Sequence, residues 1–218
     1  MTSDNGTSRT IGEVRDYLLR QLNSALRRPG MYGGESALRL FLDAVAFVDG
    51  CERLLADDLT ELRARGAFVS TGVSGAVELV MGERDSHIMA SVYAEIAHLR
   101  GWLTLDNTLS RADYDRLRNR MGSWCARDRS HSEVLAEAGP PSVLFGGPNP
   151  AFSKTFAYGT VHLDDPLVFF HLGSGTEPGT SVTGTPDEPE SVLLATRYGG
   201  AKFIDRFVFT PQGAARCR

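Results

Sequence analysis

The sequence predicts an α+β fold, in which a helical N-terminal half is followed by helices packed on an antiparallel sheet of about four to five strands. Apolar residues recur at helical spacing through the first half of the chain. After residue 142, runs of aromatic and β-branched residues are typical of strands. Tight turns between these runs, at Asp164–Pro166 and at Gly199-Gly200, predict antiparallel hairpins.

The first half contains clear helix boundaries. Thr10 and Glu13 form a T-x-x-E pattern, typical of a capping box at a helix start. Apolar residues then follow at every fourth position: Val14, Leu18, Leu22 and Leu26. Pro29-Gly30 ends this helix. A second helix is predicted from Ser36 to Gly50, and its inward residues are Leu38, Leu42, Val45 and Val48. A third is predicted over residues 52–65, before Gly66.

The middle of the chain is less uniform. Residues 67–82 fit either a strand or a helix. Asp85 or Ser86 then caps a helix that reaches Trp102. The segment SRAD (110–113) opens a helix that runs to about residue 124, and SHSE (130–133) is a second capping box whose helix ends at Gly139.

Strand-like runs fill the remainder of the chain. They cover residues 142–145, 155–163, 167–172, 191–198 and 202–210. Residues 173–190 have the composition of a mobile loop. We therefore divide the chain into a disordered lead (1–9), a helical region (10–105) and an α+β region (106–218). The boundary near residue 105 is soft, and the two regions can form one domain.

Composition excludes several functional classes. A net charge of −4 predicts no general attraction to nucleic acid or to an anionic membrane. No apolar run approaches the roughly 20 residues that span a bilayer, and the polar N-terminus lacks a signal-peptide core, so we predict a cytoplasmic protein. The three cysteines indicate neither a disulfide framework nor a zinc site, and we place Cys217 in an exposed, frayed tail.

The string Arg28-Pro29-Gly30-Met31-Tyr32 resembles a stretch before the ATP-binding helix of type II topoisomerase ATPase domains. In that family the next helix carries a catalytic glutamate and a magnesium-binding asparagine, and a later D-x-G-x-G contacts adenine. Here the corresponding helix has no asparagine and the chain has no D-x-G-x-G, so we interpret Pro29-Gly30 as a helix stop. The same start also resembles small uncharacterised actinobacterial proteins of immunity-factor type, which implies a partner such as a toxin.

We predict no metal and no cofactor. His87 and His98 lie 11 positions apart on one helix, which separates them by ~16 Å. Glu95 and His98 have the E-x-x-H spacing of di-iron bundles, but no second E-x-x-H follows, so we interpret them as a surface pair.

One face of the predicted sheet is the candidate binding surface. If Leu163 pairs with Pro166, Tyr158 faces His171 across the hairpin. We predict that a solvent-facing patch binds the partner; its residues are Phe156, Tyr158, Thr160, Phe169 and His171. The leading hypothesis is a bacterial, cofactor-free protein-interaction or immunity-type factor. The alternative is a small-molecule enzyme of specialised metabolism whose proton-transfer groups are Tyr158, His162 and His171.

Overall fold

The computed structural model describes residues 10–176, 183, 185, 188–199 and 201–217. The predicted lead (1–9) lies outside these residues, as do positions 177–182, 184, 186 and 187 of the predicted loop. The described helices are α1 (Ile11–Arg27), α2 (Gly34–Asp49), α3 (Glu52–Ala64), α4 (Gly72–Met81), α5 (Ser86–Leu99), α6 (Arg111–Asn119), α7 (Met121–Trp124), α8 (His131–Ala138) and α9 (Pro211–Arg216). The strands are β1 (Val143–Phe145), β2 (Lys154–Tyr158), β3 (Val168–Gly173), β4 (Val192–Arg197) and β5 (Phe207–Phe209).

The five strands form one antiparallel sheet in the order β1-β2-β3-β4-β5, so every strand pairs with its neighbour in sequence. This arrangement confirms the predicted α+β class. Two strand boundaries were wrong. Strand β2 ends at Tyr158 instead of continuing to residue 163, and residues 204–206 of the last predicted strand form a 3-10 turn.

Local capping explains why the starts of α1 and α8 were predicted accurately, whereas α2, which has no side-chain cap, begins at Gly34 and not at the predicted Ser36. Thr10 and Glu13 form a complete capping box, and so do Ser130 and Glu133. The sequence left two candidates, Asp85 and Ser86, for the N-cap of α5. Asp85 is the cap, because its carboxylate accepts hydrogen bonds from two backbone N–H groups of the first turn, at 2.7 and 2.9 Å.

The C-terminal tail was wrongly predicted to be frayed. It contains α9, which begins where the Thr210 hydroxyl accepts a hydrogen bond from Gly213 N at 3.1 Å, with Pro211 as the first helical residue. Cys217 follows this helix and is half-buried, with its thiol donating to Met81 O at 3.3 Å.

Helices cover both faces of the sheet. On one face, α1, α2 and α5 contribute to a buried cluster that includes Val143, Ala157 and Phe169 of the strands. On the other face, α6–α8 contribute to a second cluster around Phe156 and Phe170. The first cluster draws residues from both sides of position 105, so the helical region and the sheet share this core.

Residues 67–82, which the sequence left undecided, contain α4, and a carboxylate from another helix caps it. Glu35 of α2 accepts hydrogen bonds from Val73 N at 2.6 Å and Ser74 N at 2.9 Å, and from the Tyr93 hydroxyl at 2.7 Å. Gly72 permits this approach, since a Cβ there would lie 2.5 Å from a Glu35 carboxylate oxygen. Although burial acts to raise the pKa of Glu35, these hydrogen bonds hold it below its usual value.

We expect Glu35→Ala to lower the free energy of unfolding by about 2 kcal/mol, because two helix N–H groups and a phenol lose a charged acceptor. The pKa of Glu35 is lowered in the folded chain, so its contribution is complete above the ordinary glutamate value and is lost as pH falls through the lowered one. Urea denaturation at neutral pH measures this. A change below about 0.5 kcal/mol would show that the cap is not structural.

Candidate functional site

The predicted solvent-facing patch is not at the surface. Its five residues are each at most 2% exposed: Phe156, Tyr158, Thr160, Phe169 and His171. The prediction assumed that one sheet face meets water, as is common for antiparallel sheets. It was wrong because α6–α8 cover the second face.

The predicted pairing of Tyr158 with His171 was also wrong. In the structure Tyr158 is opposite Val168, and His171 is opposite Thr155. Consequently Tyr158 belongs to the cluster beneath α6–α8, whereas His171 stacks with Phe169 on the other face. Residues 159–167 form a longer loop than the predicted turn.

The three candidate proton-transfer residues are therefore not brought together. The Tyr158 hydroxyl donates to Gly139 O at 3.0 Å, and burial raises the pKa of this phenol. His171 shares a hydrogen bond with the Thr155 hydroxyl at 2.9 Å, and burial holds the pKa of His171 well below its usual value. His162 is exposed in the loop after β2. Tyr158 and His171 are core residues in this fold.

Glu95 and His98 were interpreted from the sequence as a surface pair, but His98 is buried and Glu95 is half-buried. His98 is 3% exposed, and the Glu95 carboxylate lies between the guanidinium groups of Arg197 and Arg206. A sequence signal existed, since α5 is apolar on nearly every face and such a helix is normally buried all round. A charged residue within it then requires a buried partner.

A buried lysine also escaped prediction. Lys154, the first residue of β2, is 1% exposed, and its amine donates to Asn149 O. Burial and the nearby Arg28 lower the pKa of Lys154 to about 8. A lysine at the start of a strand is ordinarily exposed, so the pattern gave no indication of this environment.

An apolar groove lies at the surface between α1, α2 and α3. We call it the α1–α3 groove; its volume is about 700 Å³, and its lining consists of Val14, Leu18, Leu40, Asp43, Ala44, Ala46, Phe47, Val48, Glu52, Leu55, Ala56 and Leu59. Leu40 and Phe47 stand out from α2 with 66% and 73% of their surface exposed.

The groove exists because α2 carries two apolar stripes. Of the four predicted inward residues, Leu38, Leu42 and Val45 are buried as expected, whereas Val48 is half-buried and lines the groove. A second set, Leu40, Ala44 and Phe47, recurs at spacings of four and three on a different face of the helix and lines the groove. The sequence analysis missed this second stripe.

The charged groups of the groove are both acidic. Asp43 and Glu52 line it, and neither belongs to any of the salt bridges found within the described part of the chain. The groove therefore combines an apolar floor with two carboxylates that have no cationic partner there.

Comparisons with family models, with curated proteins and with solved structures found no match. Among the described residues, no group of three or more His, Cys, Asp or Glu side chains is placed to hold a metal ion. No helix in the same residues has the length and apolar character needed to cross a membrane.

Proposed function

We propose that this protein is a protein-interaction factor that binds an amphipathic helix of a partner protein in the α1–α3 groove. The exposure of Leu40 and Phe47 beside the other apolar lining residues supports this proposal above any other observation. Contiguous exposed apolar surface of this kind typically marks an interaction site. An immunity-type factor is one case of such a protein, with a toxin as partner; that role and the cytoplasmic location remain predictions.

The groove favours a helix as its occupant. It follows α2, which has 16 residues, and an amphipathic helix places apolar side chains along such a groove at positions i, i+3, i+4 and i+7. Asp43 and Glu52 favour a partner with lysine or arginine beside its apolar stripe, because opposite charges across an interface select the correct partner.

Two other occupants fit less well. Residues 1–9 precede α1 in the chain, and their sequence MTSDNGTSR contains one large apolar side chain, Met1, so they offer little to bury. A second copy of the chain, placed groove to groove about a two-fold axis, would bring Asp43 and Glu52 of both copies into one interface. Like charges in that position oppose association.

Two designed peptides test the proposal. Each is a helix of about 16 residues with leucines along one face; one carries lysines beside the leucines and the other carries glutamates. We expect the lysine peptide to bind at least about tenfold more tightly by fluorescence anisotropy at low salt, since the glutamates would meet Asp43 and Glu52. Equal affinities, or no binding of the lysine peptide at about 1 mM, would refute the proposal.

A further inference from the structure

A second concave site lies where the end of α1 meets β1. This α1–β1 cleft has a volume of about 340 Å³, which is within the range of small-molecule pockets. Its lining consists of Ser24, Arg27, Arg28, Tyr32, Asp106 and Leu144. It shares no residue with the α1–α3 groove, so the two sites can be tested independently.

The string RPGMY, which follows α1, supplies two residues of the cleft. The helix stops at Arg28, and Pro29–Met31 form a 3-10 turn that is closed by a hydrogen bond of 3.2 Å from Tyr32 N to Pro29 O. This turn brings Arg28 and Tyr32 to the same cleft. The segment that we interpreted as a helix stop therefore also forms part of a concave surface.

The lining of the cleft carries an excess of one positive charge, because it contains the guanidiniums of Arg27 and Arg28 and only the carboxylate of Asp106. Asp106 is paired with Arg27 at 2.8 Å, and the same guanidinium also donates to Thr104 O at 2.9 Å. The half-buried Arg28 side chain forms no salt bridge and donates no hydrogen bond to any residue that the structure describes. Arg28 is therefore the unpaired cation of the lining.

The end of α1 does not use the Arg28 side chain either. A basic residue at this position can bind the last carbonyl groups of a helix. Here backbone N–H groups bind those carbonyls instead. Ser24 O accepts from Arg28 N at 3.0 Å, and Arg27 O accepts from Gly146 N at 2.8 Å. Arg28 O accepts from Met31 N at 3.0 Å. The Arg28 guanidinium thus remains available to a ligand.

Charged groups near the cleft do not supply the missing anion. Lys154 is close enough to Arg28 for their charges to repel, which contributes to the lowered pKa of Lys154. Glu190 has the opposite effect on this pKa, but the backbone N–H and the hydroxyl of Ser132 already bind its carboxylate, at 3.0 and 2.5 Å. The carboxylate of Asp85 caps α5. Arg28 therefore has a further cation nearby and no carboxylate bound to it.

Two hydroxyls and apolar surface complete the cleft. Ser24 and Tyr32 line it, and neither hydroxyl has a hydrogen-bond partner within the described part of the chain. The Tyr32 ring and the half-buried Leu144 supply the apolar surface. We infer that the α1–β1 cleft binds a small organic monoanion, a carboxylic acid with a flat apolar body, whose carboxylate pairs with Arg28. A carboxylate matches the planar donor pair of a guanidinium. A single negative charge matches the excess of one positive charge, whereas a dianion would meet repulsion from Asp106.

Benzoate and benzamide, titrated into the full chain and followed by the NMR chemical shifts of its backbone N–H groups, test this inference. The two probes have the same flat ring and the same number of non-hydrogen atoms, and they differ in charge. We expect benzoate to bind at least about tenfold more tightly, because charge-assisted hydrogen bonds to arginine are stronger than neutral ones. Benzoate binding that is no tighter than benzamide binding would overturn the inference.

A substitution locates the site. Arg28→Met keeps most of the side-chain length, and the described structure loses no side-chain hydrogen bond by it. This variant should bind benzoate at least about tenfold more weakly and benzamide nearly as before. Arg20→Met, at an exposed position of α1 outside the cleft, is the matched control and should leave both affinities unchanged. If Arg28→Met binds benzoate like the unmodified chain, the acid binds elsewhere and the inference is wrong.

Discussion

Replacing Glu95 with alanine should lower the free energy of unfolding by about 3 to 5 kcal/mol, the cost typical of removing one partner of a buried ion pair. Arg197 is fully buried and Arg206 is 6% exposed, so neither guanidinium can turn to solvent when its carboxylate is removed. The Ser91 hydroxyl, 2.7 Å from Arg197, cannot replace the lost charge. Urea denaturation at neutral pH, followed by circular dichroism, measures the change.

Glu137 provides a matched control, because its carboxylate also joins two arginines, Arg120 and Arg129, at 2.6 and 2.7 Å. Glu137 and Arg120 are 29% and 51% exposed, so solvent screens this carboxylate more than Glu95, although Arg129 is only 10% exposed. Glu137→Ala should therefore cost about 1 kcal/mol, less than Glu95→Ala. If the Glu95 and Glu137 variants are equally stable, the buried cluster does not hold α5 on the sheet.

The dependence on pH has a defined sign. Burial acts to raise the pKa of Glu95, but Arg197 and Arg206 outweigh it and hold the pKa below its usual value. The stabilisation from ionised Glu95 is therefore complete above the ordinary glutamate pKa and decreases as pH falls through the lowered value. The stability difference between Glu95→Ala and the unmodified chain should shrink over that acidic range.

The second large effect concerns the α1–α3 groove. The double variant Leu40→Ala, Phe47→Ala should weaken binding of the lysine-flanked peptide by at least about 30-fold, near 2 kcal/mol, because two exposed apolar anchors are removed. Both side chains are already in contact with water, and alanine favours helix, so stability should change by less than about 0.5 kcal/mol. Unchanged peptide affinity would show that these residues do not contribute to binding.

Local chemistry explains which elements were predictable. Each capping box lies within four consecutive residues, Thr10 with Glu13 and Ser130 with Glu133, so the sequence alone predicts these two helix starts. The α9 start had a comparable signal, Thr210 followed by Pro211, which the strand-like residues before it obscured. The order of the strands in the sheet could also be predicted from the sequence, since each strand pairs with the next one along the chain.

Long-range packing explains what was missed. The run Leu167–Leu172 is almost continuously apolar, a pattern typical of a strand buried on both faces, yet we expected one face to meet water. That expectation misplaced Tyr158 and His171. The pairing of Glu95 with Arg197 and Arg206 spans 102 and 111 positions, and no local pattern predicts such a contact.

The candidate groove was hidden for a different reason. Leu40 and Phe47 were present in the sequence, but a helix with one clear inward stripe gave no cause to look for another. A second apolar stripe on a helix indicates a binding surface only if the neighbouring helices leave it exposed, and the positions of those helices are known only from the structure.

The ratio of the peptide affinities of two alanine variants tests the proposed function most directly. Leu40→Ala alters the groove, whereas Leu79→Ala alters a leucine on α4 that is 76% exposed and outside it. We predict that Leu40→Ala weakens binding of the lysine-flanked peptide by about tenfold and that Leu79→Ala leaves it unchanged. Equal affinities of the two variants would contradict binding in the α1–α3 groove.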